Sequence, residues 1–208
     1  EKAAEELKIR IYKNIREQIG EIQGIAEMYI GTIHGFCLKL LQDYISIFQK
    51  FSILDEVKTK IFIDKHFSLC GMKDLGFKRY AETNLYIQLI GIILESGINI
   101  SSLPIEYVEA VKKYKECFYD RNYFDFTLIM YEAIYQIENN AELQTKLKER
   151  IKFLTVDEYQ DVNPIQEKIV RLIHDMGANI CVVGDDDQTI YQWRGSEIKN
   201  ILTFEERY

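Results

Sequence analysis

The chain has 208 residues and a formal net charge of −7, and 47% of its residues are hydrophobic. This apolar content excludes an intrinsically disordered protein, and the length provides for one or two domains with their own cores. The acidic balance argues against nucleic-acid binding through bulk positive charge, and the absence of any apolar run of about 18 residues argues against a membrane span.

Most of the first 150 residues have a helical pattern. From Ala3 to Ile19 an apolar residue recurs at every fourth position, which predicts an amphipathic helix. A second helix is predicted to begin near Thr32, whose hydroxyl can cap its first turn. Further helices are predicted over residues 53–70, 77–95, 104–119, 123–138 and 141–150.

The last third of the chain changes character. Residues 153–156 and 180–183 are short apolar runs, and a helical segment with Pro164 near its start separates them. Two apolar strands around one helix are typical of a parallel sheet that is buried on both faces. Residues 151–208 carry 11 acidic and 6 basic side chains, and an acidic cluster follows each strand. Ligands bind at the carboxyl ends of the strands in such sheets, so these clusters mark the candidate site.

The two strand ends carry residue types suited to nucleotide hydrolysis. After the first strand, Asp157 can hold a Mg²⁺ ion bound to a nucleoside triphosphate, and Glu158 can orient and deprotonate the attacking water. After the second strand, Gly184 permits a tight turn and the amide of Gln188 can reach a γ-phosphate. An isolated pair of acidic residues after a strand is common by chance; the second cluster favours the functional interpretation.

An aromatic and basic group follows the second cluster directly. Tyr191, Trp193 and Arg194 lie within four residues of one another, and rings beside a guanidinium can form a stacking platform for unpaired bases. The alternative is structural: Trp193 would belong to the core and Arg194 would pair with a surface carboxylate.

Two long segments resemble motifs of the UvrD/Rep/PcrA helicases of superfamily 1. Motif II is matched by residues 156–166, VDEYQDVNPIQ, and motif III by residues 183–195, VGDDDQTIYQWRG. Shorter segments resemble motif Ib (residues 31–36, GTIHGF, with Gly where Ser is usual) and the tail of motif Ia (residues 2–10). Residues 124–127, FDFT, resemble the acidic segment before motif II, without its later acids.

The resemblance implies an α/β fold that is part of a RecA-like P-loop NTPase domain. Residues 1–44 and 123–208 would form two parts of this domain, called 1A, around its parallel sheet. Residues 45–122 would form a mostly helical inserted subdomain, called 1B. No G-x-x-x-x-G-K-[ST] phosphate loop occurs in the 208 residues, so we expect the chain to be an internal fragment whose loop lies upstream.

The resemblance also implies the roles of residues near the nucleotide. Asp157 would bind Mg²⁺ and the nucleotide, Glu158 would be the catalytic base, and Gln188 would contact the γ-phosphate and contribute to catalysis. Asp161 and Gln166 would couple the hydrolysis site to the DNA groove. The implied cofactors are Mg²⁺ and ATP, and the ATP site would be incomplete in this fragment.

For DNA, the resemblance implies a track of five residues. Trp193 would stack on a base of single-stranded DNA, supported by Tyr191 and Arg194, while Thr32 and His34 would contact the backbone. A His in a capped helical turn can equally be satisfied locally. The expected partners are single-stranded DNA and junctions between single-stranded and duplex DNA.

The function implied is that of an ATP-dependent DNA helicase, which would move 3′→5′ and unwind duplexes. The fragment alone is expected to be inactive. Two alternatives stay open: the helicase subunit of an AddA/RecB-type helicase-nuclease, and a non-catalytic module that keeps the fold and binds DNA or protein. The four cysteines show neither CxxC pairs nor zinc-ligand spacing, so we expect free thiols in a cytoplasmic protein.

Overall fold

Helices dominate the structure. The computed structural model describes residues 2–20, 24, 27–185 and 203–208. Its helices are α1 (Lys2–Ile19), α2 (Ile33–Tyr44), α3 (Glu56–Lys65), α4 (Thr83–Glu95), α5 (Ile105–Tyr119), α6 (Phe126–Asn139), α7 (Ala141–Arg150), α8 (Pro164–Asp175) and α9 (Phe204–Arg207). None of the described helices combines the length and apolar character that a membrane-spanning helix needs.

Four short strands form two parallel pairs. Strand β1 (Ser52–Ile53) pairs with β2 (Tyr123–Phe124), and β3 (Phe153–Val156) pairs with β4 (Asn179–Val182). The connection from β3 through α8 to β4 confirms the predicted strand–helix–strand unit. Gly177 lies between α8 and β4 with a φ of +100°, a conformation that glycine adopts at little cost.

The β3–β4 sheet is more exposed than the sequence predicted. Its apolar strands indicated burial on both faces, but Phe153 is 78% exposed and Val156 is the one buried residue of β3. The prediction is wrong for the described residues because β3 has one neighbouring strand there. Phe153 and Thr155 are therefore exposed, whereas Leu154, on the other face of the strand, packs against the main core.

Two predicted helices in the middle of the chain are shorter than expected. In place of a helix over residues 53–70, α3 begins after Asp55, whose side chain accepts a hydrogen bond from the first turn. In place of a helix over residues 77–95, α4 begins at Thr83. The buried carboxylate of Asp64 accepts a 2.5 Å hydrogen bond from the Thr83 hydroxyl and fixes the turns between the two helices.

Helix α6 lies at the centre of the main core. It packs against α2, α4, α7 and α8. Its buried apolar side chains are Leu128, Ile129, Met130, Ala133, Ile134 and Ile137. Burying one Leu or Ile side chain contributes about 1.5–3 kcal/mol, so this helix is a major source of stability. Asp125 fixes its start by accepting a 2.7 Å hydrogen bond from the Leu128 amide.

A second, smaller apolar cluster lies beneath the ends of β3 and β4. Its buried members are Val156, Tyr159, Val162 and Val170, and Phe204 and Tyr208 pack against them. The carboxylate of Glu167 accepts hydrogen bonds from the hydroxyls of Tyr159 and Tyr208 and pairs with Arg207 at 2.6 Å. These contacts anchor the turn after β3 to α8 and to the last residues of the chain.

Candidate functional site

The carboxyl ends of β3 and β4 meet at one edge of the sheet. Val156 and Val182 are register partners in the parallel pair. The amide of Val183 donates a 2.8 Å hydrogen bond to the carbonyl of Val156, and the amide of Tyr159 donates a 3.0 Å bond to the carbonyl of Val183. The residues after each strand are therefore neighbours, as the sequence predicted for the two acidic clusters.

Asp157 is the first residue after β3, and its side chain is exposed. Its Oδ1 atom accepts a 3.0 Å hydrogen bond from the amide of Glu158, which fixes the carboxylate beside the turn. The described residues contain no group of three potential ligands arranged around a metal position. Mg²⁺ in nucleotide sites commonly takes one or two carboxylates together with phosphate oxygens and water, so a single exposed Asp fits this donor set.

Glu158 has an unusual backbone conformation. Its φ of 51° and ψ of 44° lie in the left-handed region, although it is not a glycine. Such a conformation costs of order 1–3 kcal/mol and persists where the surrounding structure imposes it, commonly at functional sites. In this turn, Oε2 of Glu158 accepts a 2.6 Å hydrogen bond from Nε2 of Gln160.

Gln160, which the sequence did not single out, lies between the residues that follow the two strands. Its side chain is 1% exposed, and its Oε1 atom accepts a 3.0 Å hydrogen bond from the amide of Asp185, after β4. The amide group therefore joins the residues after β3 to those after β4. Gln160 lies within the segment that resembles motif II, but its burial and its contact with Asp185 depend on the tertiary structure.

Asp161 and Gln166 have different surroundings. Oδ1 of Asp161 is buried and accepts no hydrogen bond within the described part of the chain. Burial, and secondarily the charge of Glu158, raises the pKa of this carboxyl. Gln166 forms a capping box with Asn163 at the start of α8, in which each side chain accepts a hydrogen bond from the other's backbone amide. The amide oxygen of Gln166 thus has a local structural role.

Thr32 and His34 lie at the start of α2. The Thr32 hydroxyl accepts a 3.1 Å hydrogen bond from the amide of Gly35, which confirms the predicted cap. The His34 ring contacts the edge of Phe126 at 5.4 Å between centroids, and burial lowers its pKa. Ile33, between them, packs against the small cluster beneath the strand ends and so links this helix to the candidate site.

Four predicted site residues lie outside the described residues: Gln188, Tyr191, Trp193 and Arg194. Among the described residues, the structure places Asp157 and Glu158 together, with Asp161 three residues beyond Glu158 in the same turn. It assigns local contacts to Thr32, His34 and Gln166. It also adds Gln160, which bonds to Glu158 and to the backbone after the second strand.

Comparison with known proteins gives a family match over the whole chain. The family model described as the UvrD/REP helicase N-terminal domain matches residues 1–208. A protein of Rickettsia conorii named probable DNA helicase II homolog is 30% identical over 94% of this chain and 32% of its own length. The ATP-dependent DNA helicase PcrA of Staphylococcus epidermidis is 30% identical over 100% of this chain and 28% of its own length. The chain thus spans about a third of the length of these relatives.

Proposed function

Because the chain belongs to the UvrD/REP helicase N-terminal domain family, we propose that it is part of an ATP-driven DNA helicase that moves 3′→5′ on single-stranded DNA. The complete natural protein to which these 208 residues belong is called the full-length protein below. The observation that carries the proposal is the position of Asp157 and Glu158 at the carboxyl end of β3, beside the end of the parallel strand β4. This is the edge at which open α/β sheets bind their ligands.

We propose a RecA-like domain 1A formed by residues 1–44 and 123–208, with residues 45–122 inserted as a helical subdomain 1B. The pairing of β1 with β2 supports this arrangement, since Ser52 and Tyr123 are register partners. An insertion must leave and re-enter its host domain at neighbouring points. Strand β1 lies near the start of residues 45–122 and β2 directly after them, so the chain enters and leaves the inserted helices at neighbouring points.

The carboxylates of Asp157 and Glu158 have distinct proposed roles. Asp157 would hold Mg²⁺ together with the phosphates of ATP, and the ion would neutralise charge that develops on the phosphate oxygens. Glu158 would orient the attacking water and accept its proton. The two carboxylates accept hydrogen bonds from different donors, Asp157 from the Glu158 amide and Glu158 from the Gln160 side chain, which suits separate tasks. Gln188 would contact the γ-phosphate.

The DNA contacts are proposed from the sequence and from the start of α2. Trp193 would stack on an unpaired base with support from Tyr191 and Arg194, and stacking tolerates any base. Thr32 and His34 would lie along the DNA backbone. The partly buried ring of His34 favours a neutral imidazole, because burial lowers its pKa, so this contact would be a hydrogen bond more than an ion pair.

A strand-displacement assay tests the proposed function. The full-length protein would be mixed with ATP, Mg²⁺ and a duplex that carries a single-stranded tail at either the 3′ or the 5′ end. We expect displacement of the strand annealed to the 3′-tailed DNA and little displacement from the 5′-tailed DNA. Equal displacement from both would contradict the direction, and none from either, together with no ATP hydrolysis, would contradict the helicase function.

A further inference from the structure

We propose that Gln160 is a positioning residue, which holds the carboxylate of Glu158 in place and ties it to the backbone that follows β4. The inference rests on the proposed function, since it gives Gln160 a task in ATP hydrolysis. It goes beyond the residue roles above because none of them involves this side chain.

The geometry of Gln160 supports a bridging role. Its Nε2 atom lies 2.6 Å from Oε2 of Glu158, and its Oε1 atom lies 3.0 Å from the amide nitrogen of Asp185. The side chain is 1% exposed, so water does not compete for these bonds from the Gln160 side. A buried polar group costs free energy when it lacks a hydrogen-bond partner, so the loss of either hydrogen bond would destabilise this arrangement.

The two hydrogen-bond partners of Gln160 require a side chain that both donates and accepts, as an amide does. The carboxylate of Glu158 can only accept a hydrogen bond, whereas the backbone amide of Asp185 can only donate one. A side chain between them must donate at one end and accept at the other. Lys and Arg cannot accept, and an ionised Glu cannot donate and would repel Glu158. A neutral amide on a side chain of this length meets both demands.

Because its two hydrogen bonds connect Glu158 to the residues after β4, Gln160 would influence catalysis. Glu158 is exposed, and the hydrogen bond from the Gln160 side-chain amide restricts the rotamers of its flexible side chain. The other end of the bridge lies on the segment after β4, so movement of that segment would move the Gln160 amide and with it the proposed base. Gln160 would therefore affect turnover and its stimulation by DNA, and would leave the binding of ATP nearly unchanged.

Two substitutions in the full-length protein remove either both hydrogen bonds of Gln160 or the one to Glu158. Gln160→Met keeps the length of the side chain and removes both hydrogen bonds. Gln160→Glu keeps an acceptor for the Asp185 amide and removes the donor to Glu158. We expect kcat for ATP hydrolysis to fall about 10- to 100-fold in both, as for a misplaced catalytic group, with KM for ATP changed less than about twofold. We also expect Gln160→Met to lose most of the stimulation by single-stranded DNA.

The matched control is Gln136→Met on α6. Nε2 of Gln136 donates a 2.8 Å hydrogen bond to Glu132, which is the same amide-to-carboxylate contact away from the strand ends. Turnover is expressed per nucleotide-binding site, counted by titration with a non-hydrolysable ATP analogue, so that a misfolded fraction does not lower the apparent kcat. We expect the control to keep the wild-type kcat.

The outcomes distinguish this inference from the proposed function. A reduced kcat per titrated site in both Gln160 variants, with an unchanged control, supports the positioning role. Wild-type kcat in Gln160→Met, with an active wild-type protein, overturns it and leaves the proposed function standing. A wild-type protein that hydrolyses no ATP with DNA present overturns the proposed function and this inference together.

Discussion

The turn after β3 combines two unfavourable features in neighbouring residues. Glu158 adopts a left-handed backbone, and the buried Oδ1 of Asp161 accepts no hydrogen bond from the described residues. Both features cost stability. Residues that lower stability at the end of a parallel strand are expected where chemistry, more than folding, determines the sequence.

The position of Tyr29 explains why residue 35 is Gly in this chain, where Ser is usual in motif Ib. A Cβ atom at residue 35 would lie 2.7 Å from the hydroxyl oxygen of Tyr29, which is too close for unmoved atoms. That hydroxyl donates a 2.9 Å hydrogen bond to the carbonyl of Thr32. The glycine therefore makes room for a tyrosine that fastens the segment before α2 to its first turn.

A double-mutant cycle tests this account of Gly35. In a helix, Gly→Ala stabilises by about 0.5–1 kcal/mol when there is space for the methyl group. We expect Gly35→Ala to give this gain in a Tyr29→Phe background and to lose it when Tyr29 is present, because the tyrosine must shift and its hydrogen bond to Thr32 weakens. The coupling between the two sites should be about 0.5–1 kcal/mol, measured by urea unfolding. Additive effects would contradict the proposed crowding.

At the scale of elements, helix caps account for much of what the sequence predicted correctly. Thr32 caps α2 as expected, and Pro164 occupies the first turn of α8, where its missing N–H costs nothing. The strand–helix–strand unit was also predictable, because two apolar runs flank one amphipathic helix. Each of these signals lies within a short stretch of sequence, so it can be recognised without knowledge of the tertiary structure.

Two other features were beyond local signals. Strands β1 and β2 have two residues each, too few to show an alternating pattern, and they pair across about 70 intervening residues. The site role of Gln160 depends on its burial and on Asp185, which lies 25 residues further along the chain. Contacts between such distant residues are set by packing, and the sequence of either segment alone carries no sign of them.

Substitutions in the capping box of α8 distinguish a structural role of Gln166 from a role in coupling ATP hydrolysis to DNA. We expect Asn163→Ala to destabilise the full-length protein by about 1 kcal/mol and Gln166→Ala by about 0.5–1.5 kcal/mol. Their combination should cost less than the sum, because each residue serves the same cap. Unfolding in urea measures these costs. Unchanged stability in Gln166→Ala, together with weaker stimulation of ATP hydrolysis by DNA, would instead support the coupling role.

At the scale of the whole molecule, one apolar core joins the proposed subdomain 1B to domain 1A. The core includes Ile90 of α4 and Val111 of α5 together with Leu41 of α2 and Ile129 of α6. The proposed insertion is thus packed against its host domain along the central helix α6. Movement of one part against the other would have to break apolar contacts as well as hydrogen bonds.

The 208-residue chain by itself should bind ATP weakly. It contains no G-x-x-x-x-G-K-[ST] sequence, and such a loop supplies the backbone amides and the Lys that hold the phosphates. We expect a dissociation constant weaker than about 1 mM, which corresponds to less than about 4 kcal/mol of binding free energy. Calorimetry with Mg-ATP measures it. Micromolar affinity would mean that another phosphate site exists within these residues.

Glu158→Gln in the full-length protein tests most directly whether the carboxylates at the end of β3 carry out ATP hydrolysis. We expect the variant to bind Mg-ATP as the wild type does and to hydrolyse it about 10²- to 10⁴-fold more slowly, as for loss of a general base. Glu149→Gln, an exposed residue of α7, is the matched control and should keep the wild-type rate. Equal DNA-stimulated ATPase rates for Glu158→Gln and the wild type would contradict the account.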